Sequence, residues 1–188
     1  MRASFWPVFI LALSVIPTMS GARLGADEKK LEQDKKDNQN SLVAEYKDKL
    51  VFSASTEWPG WPASRAFDGD AKTSWFTLGG DAAAHKTTPW IMATFPDDVM
   101  VRRVTILGNR EAPWATGYTI RVGKLELLDK DGKILLTKEN ECGENRLDID
   151  FPLPKPVAGV RSIRFTSLKD EGDQNPYDDI ALGEMQVE

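Results

Sequence analysis

Ala66-Phe67-Asp68-Gly69-Asp70-Ala71-Lys72-Thr73-Ser74-Trp75 places two carboxylates, a turn glycine and a hydroxyl within six residues, then closes on a large aromatic. Asp-Gly-Asp reads as a tight turn, because glycine reaches backbone angles that other residues avoid. The carboxylates of Asp68 and Asp70 and the hydroxyl of Thr73 converge on a point suited to a hard cation such as calcium, which takes six to eight oxygens. An Asx-rich surface turn leading into a strand accounts for the same residues. Trp75 is placed to anchor the loop on a core.

Downstream and upstream of this loop the pattern is of short strands. Val51-Phe52-Ser53-Ala54 opens it, and Trp90 to Phe95 follows Pro89. Val99, Val101, Val104 and Ile106 lead up to Gly108. Thr119 to Asp129 changes phase at Gly123-Lys124, the sign of a bulge or bend. Asp129-Lys130-Asp131-Gly132-Lys133 predicts a hairpin turn into Ile134-Leu135-Leu136. Leu147, Ile149 and Phe151 alternate with Asp148 and Asp150, and Ile163 and Phe165 share a face. Ile180 and Leu182 are in phase, Met185 and Val187 in the opposite phase, with the slip at Gly183-Glu184. No stretch after Leu50 holds a helical period. Eight or nine short strands over roughly 140 residues predict an all-β antiparallel β-sandwich or jelly roll, with its chemistry on the end loops.

The 188 residues suffice for one compact core. A net charge of -5 argues against nucleic acid and against insertion into an anionic membrane. Residues 1–26 carry Arg2, an apolar run from Phe5 to Pro17 and small residues after it, the pattern of a signal peptide and hence of a secreted or periplasmic protein. Residues 27–49 read as a charged linker with a short helix around Leu42 to Leu50, leaving 50–188 as the domain. Cys142 is the single cysteine, so no internal disulfide can form.

These residues resemble the coagulation-factor type C (discoidin) domains and, within them, the family 32 carbohydrate-binding modules. The resemblance is carried by Ser53-Ala54-Ser55, by Pro62 to Asp70 with Thr73-Ser74-Trp75, by Pro89-Trp90-Ile91 with Ala93 and Phe95, by Val101 to Gly108, and by Ala181 to Val187. It implies the galactose-binding-like jelly roll and a structural calcium. On that resemblance Asp68 and Glu184 would supply side-chain oxygens and Thr73 its hydroxyl. Arg65, Asp70 and Ala181 would supply backbone carbonyls. A residue turned out of the strand alternation, as Glu184 is, can point at the loop. The segment Phe76 to Thr88 is longer than the usual link in such domains, and many of them close their termini with a disulfide that this chain lacks.

The expected activity is non-catalytic binding of a glycan or cell-surface polysaccharide through end loops. Trp58-Pro59-Gly60-Trp61 sets two indoles on a rigid turn, where they either stack on a sugar or cap the sandwich. Asn109 and Arg110 offer polar groups on the loop before Trp114; an ordinary surface salt bridge from Arg110 to Glu111 or another acid is the alternative, and the loop position favours the binding role. His85 and Tyr177 are outer candidates. A Ser-His-Asp hydrolase would need His85, the lone histidine, but no nucleophile elbow accompanies it. A glycosidase using Asp178 and Glu184 would need an open cleft between them. The alternative to glycan binding is a cell-envelope adhesion or protein-interaction domain.

Overall fold

A computed structural model describes residues 41–144 and 147–188. The expected signal peptide and most of the expected linker lie outside the described residues. The remainder of that linker forms helix α1 (Leu42–Tyr46) and a 3-10 turn at Lys47–Lys49. Ser41 caps α1, its Oγ accepting from the Val43 amide at 3.3 Å and from the Val187 amide at 3.1 Å. Val43 is buried and Tyr46 packs edge-on against Phe95. The two ends of the described chain are thus joined by a hydrogen bond and by apolar packing.

Seven strands follow: β1 (Val51–Ala54), β2 (Trp75–Phe76), β3 (Trp90–Gly108), β4 (Ile120–Leu128), β5 (Ile134–Glu141), β6 (Ile149–Asp170) and β7 (Ala181–Val187). All pairings are antiparallel, in the order β2-β7-β3-β6-β4-β5, with β1 also on β3. The first part of β3 pairs with β1 and with the last part of β6, whereas its last part pairs with β7 and with the first part of β6. Register shifts between Thr94 and Arg103 bend both long strands. Phe151 and Phe165 lie on the same strand, and an extended run between them would span about 46 Å. Their ring centroids are 6.2 Å apart. β6 therefore folds over and contributes to both layers of a sandwich, with its own phenylalanines meeting in the core.

This is where the strand count departs from the sequence pattern. The stretches around Phe151 and around Ile163 and Phe165 belong to one strand, β6, because the ladder resumes past Pro152, Pro154 and Pro156 through bulges. The two phase slips are real. β4 shifts register at Gly123, where a Cβ would sit 2.1 Å from the Phe165 ring. β7 shifts at Gly183, which lies between the pairs Leu107–Glu184 and Gly108–Leu182. The hairpin at Asp129 to Lys133 forms as expected, with Asp129 Oδ1 accepting from the Asp131 and Lys133 amides at 2.9 Å each. One apolar cluster joins Trp75, Phe95, Ile106, Leu127, Phe151 and Phe165.

Candidate functional site

At one end of the sandwich, chain connections bring aromatic side chains into a cleft of about 200 Å³ lined by Trp58, Trp61, Phe76, Trp114, Tyr118, Tyr177 and Asp179. Trp58 and Trp61 arrive on a tight turn. The Trp61 amide donates to the Trp58 carbonyl at 2.9 Å, and Gly60 takes φ 91 after Pro59, the residue order of a type II turn. The Trp58 amide donates to Phe76 O and the Phe76 amide to Trp61 O, so β2 holds the turn in place. Trp58 and Trp114 each meet Tyr177 edge-on at 5.8 Å, and Phe76 meets Tyr118 at 5.3 Å.

The polar edge of Trp61 is fixed from behind. Its Nε1 donates to Glu111 Oε1 at 2.9 Å, which also accepts from Arg65 Nη2 at 2.9 Å. The Ser74 amide donates to Glu111 Oε2 at 2.9 Å. Tyr177 and Asp179 come from the loop before β7. Asn175 organises that loop, its Nδ2 donating to Gly117 O at 2.7 Å and Asp179 O at 2.8 Å, and its Oδ1 accepting from the Tyr177 amide at 3.0 Å. Asp178 between them takes the left-handed φ of 57 and turns to His85, whose Nε2 lies 3.2 Å from its Oδ1.

Of the seven residues expected at a binding face, Trp58, Trp61, Trp114 and Tyr177 share the cleft. His85 stands outside its lining, against Asp178. Asn109 is buried, Nδ2 donating to Trp114 O at 2.6 Å and Oδ1 accepting from Ser74 Oγ at 2.7 Å, so it holds the Trp114 loop rather than facing a ligand. Arg110 forks onto Asp148 at 2.7 and 2.8 Å and donates to Gly108 O, away from the cleft. Phe76, Tyr118 and Asp179 line the cleft without having been singled out. Burial, then the charge of Asp178, pushes the Asp179 carboxyl up to about 6, although its own backbone N–H pulls the other way. Burial first, then Asp179 and Tyr177, push the Tyr118 phenol up.

The Asp68 loop lies against the bulge of β7. Gly69 has φ 84, and its amide donates to Glu184 Oε2 at 3.1 Å. Thr73 Oγ1 donates to Asp68 Oδ2 at 2.7 Å and to Asp70 O at 2.9 Å. Lys47 Nζ donates to Asp68 O at 2.8 Å. Glu184 is buried, and burial first, then Asp68, pushes its carboxyl up to about 8, with Gly69 and Lys47 opposing. The Arg65 side chain turns the other way, to Gly60 O and Glu111, and Ala181 is held by its amide on Tyr118 O. Among the described residues no three His, Cys, Asp or Glu side chains cluster as a metal site, so any cation here would rely on carbonyls and a hydroxyl beside two carboxylates. No helix among them is long and apolar enough to cross a membrane.

The F5/8 type C domain family matches residues 51–182, from β1 into β7. The chain belongs to this family. The domain's fold is shared with a family 32 carbohydrate-binding module of C. perfringens NanJ, solved in complex with galactose, at 20% identity and a TM-score of 0.61 over 76% of this chain and 95% of that one. The lectin domain of Lectinolysin, complexed with Lewis B antigen, aligns at 14% identity and a TM-score of 0.57 over 74% of this chain and 92% of that one. A further family 32 module from Clostridium perfringens, in complex with GalNAc-β-1,3-galactose, aligns at 13% identity and 0.57 over 76% and 96%. No curated protein matches the sequence.

Proposed function

We propose that this F5/8 type C domain is an exported, non-catalytic glycan-binding module whose ligand enters the aromatic cleft. The observation that carries the reading is the convergence of Trp58, Trp61, Trp114 and Tyr177 at one end of the sandwich. Sugar rings present apolar C–H faces, and a concave aromatic platform with few polar groups suits them. Export is supported by the Arg2 start and apolar run of the first 26 residues.

A structural calcium at the Asp68 loop belongs to the same proposal. The buried Glu184 carboxylate faces Asp68 and Asp70, and the available donors are oxygens, which suits a hard cation. Asp68, Thr73 and Glu184 would hold it with carbonyls of Arg65, Asp70 and Ala181. The ion would supply positive charge that offsets the repulsion among these carboxylates. Asp178 and Glu184 do not serve as a glycosidase pair in this reading, since Asp178 is engaged with His85 and Glu184 with the Gly69 amide.

A glycan array with the full chain tests the binding reading, followed by titration of a responsive glycan against Trp58→Ala and Trp114→Ala. Loss of binding by folded variants is the expected result. A shallow site of this type should bind at about 0.1–1 mM. Unchanged binding by both variants, or an array with no responsive glycan, would sink it, the latter favouring the adhesion reading.

A further inference from the structure

The cleft carries one buried acid whose charge a neutral sugar does not offset. Asp179 is 3% exposed, lines the cleft, and its Oδ1 has no hydrogen-bond partner among the described residues. Around it stand Trp58, Trp61, Trp114, Tyr118 and Tyr177, and no Lys or Arg lines the cleft among the described residues. A buried carboxylate oxygen without a partner is costly. Asn175 holds Asp179 through the backbone, donating to its carbonyl at 2.8 Å. The side chain is left to face the rings.

Three ligand chemistries can be weighed against this geometry. A sugar hydroxyl gives the orphaned oxygen a donor but brings no charge. A quaternary ammonium is attracted by aromatic faces, but it has no N–H to give. A primary ammonium brings both the charge and the donor, and the surrounding indoles and phenols favour a cation over their faces. Asp178 next in sequence adds negative charge, and the chain as a whole is at -5.

We infer that the cleft selects an ammonium-bearing saccharide, a hexosamine unit with a free amine, which donates to Asp179 Oδ1 while its ring face stacks on the tryptophans. This rests on the glycan-binding reading of the same cleft and names the sugar class within it. Asp179 is then the specificity-determining group, and Asn175 a positioning residue for it and for Tyr177.

The test is calorimetric titration of the full chain with oligomers of glucosamine and of galactosamine, each beside its N-acetylated counterpart, and with galactose. The parent should prefer at least one free-amine oligomer over its acetylated form by about tenfold or more. Asp179→Asn keeps the shape and removes the charge, so it should erase that preference, bringing the free-amine oligomers to the affinity of their acetylated counterparts. Tyr177→Ala, at the exposed rim, should weaken both forms together. Acetylated or neutral sugars bound as well as the amines, or an amine preference surviving Asp179→Asn, would overturn the inference and leave the glycan reading standing. Binding of none of these sugars, with no responsive glycan on an array, would remove the glycan reading itself and this inference with it.

Discussion

The indole Nε1 of Trp61 and the guanidinium of Arg65 donate to the same oxygen of Glu111, each at 2.9 Å. The other Glu111 oxygen accepts from the Ser74 amide. One carboxylate therefore ties the Trp58–Trp61 turn, the Ala63–Phe67 turn and the start of β2 together. Glu111→Ala would leave a backbone N–H and an indole N–H without their acceptor. It should cost about 1–3 kcal/mol in urea denaturation and weaken glycan binding through a loosened Trp61. Unchanged stability would show that solvent replaces the carboxylate without loss.

Arg110 and Trp114 are four residues apart but should behave differently in binding. Trp114 lines the cleft, whereas Arg110 is committed to Asp148 and the Gly108 carbonyl. Titration of a responsive glycan should show Trp114→Ala losing about tenfold or more, in the range of a truncated aromatic anchor. Arg110→Ala should stay within about twofold of the parent, since a residue remote from the cleft removes no contact with the ligand. A large loss in Arg110→Ala alone would move the site towards β3's end.

Calcium should raise the melting temperature, and at about 100 times its Kd the gain is about 2.7 kcal/mol. With its carboxyl pushed up to about 8, Glu184 is protonated at neutral pH when no cation is bound, and Glu184→Gln resembles that neutral form. In chelator at about pH 7 this variant should melt close to the parent, and in saturating calcium it should melt below it. Parallel melting curves in both conditions would speak against a cation at this loop.

Glu126 gives the acid limb a specific contributor. It is buried on β4, with Arg164 Nε at 2.9 Å and Lys124 Nζ at 3.4 Å. Burial alone would push its carboxyl up, but Arg164 and Lys124 together hold it below its ordinary 4.5. A folded-state value below the unfolded one adds stability that is fully present above pH 4.5 and is lost as pH falls through the folded value. Glu126→Gln should therefore flatten the fall of the urea midpoint below that pH. At neutral pH it should cost about 1–2 kcal/mol, because solvent at the half-exposed Arg164 screens part of the interaction. An acid limb of equal steepness in both proteins would assign the effect elsewhere.

What the sequence determined by itself is local. Gly69, Gly60 and Gly132 all adopt the positive φ that their turns demanded, and the phase slips at Gly123 and Gly183 are bulges, because periodicity and turn chemistry act over a few residues. The aromatic character of Trp58, Trp61, Trp114 and Tyr177, and their placement on connections, were legible for the same reason. Tertiary structure alone decided partners. Alternation tells which side a residue takes, not what stands opposite it, so nothing in the sequence showed that β6 folds until Phe151 meets Phe165. Asn109 and Arg110 look like binding residues by type, yet Ser74, Trp114 and Asp148 claim their polar groups across the fold. Asp179 reads as one acid in an acidic loop, and only the closing of Asn175 onto Gly117 and Asp179 turns it into a buried carboxylate facing indoles. Burial, and with it the chemistry of that oxygen, is a property of chain segments far apart in sequence meeting in space.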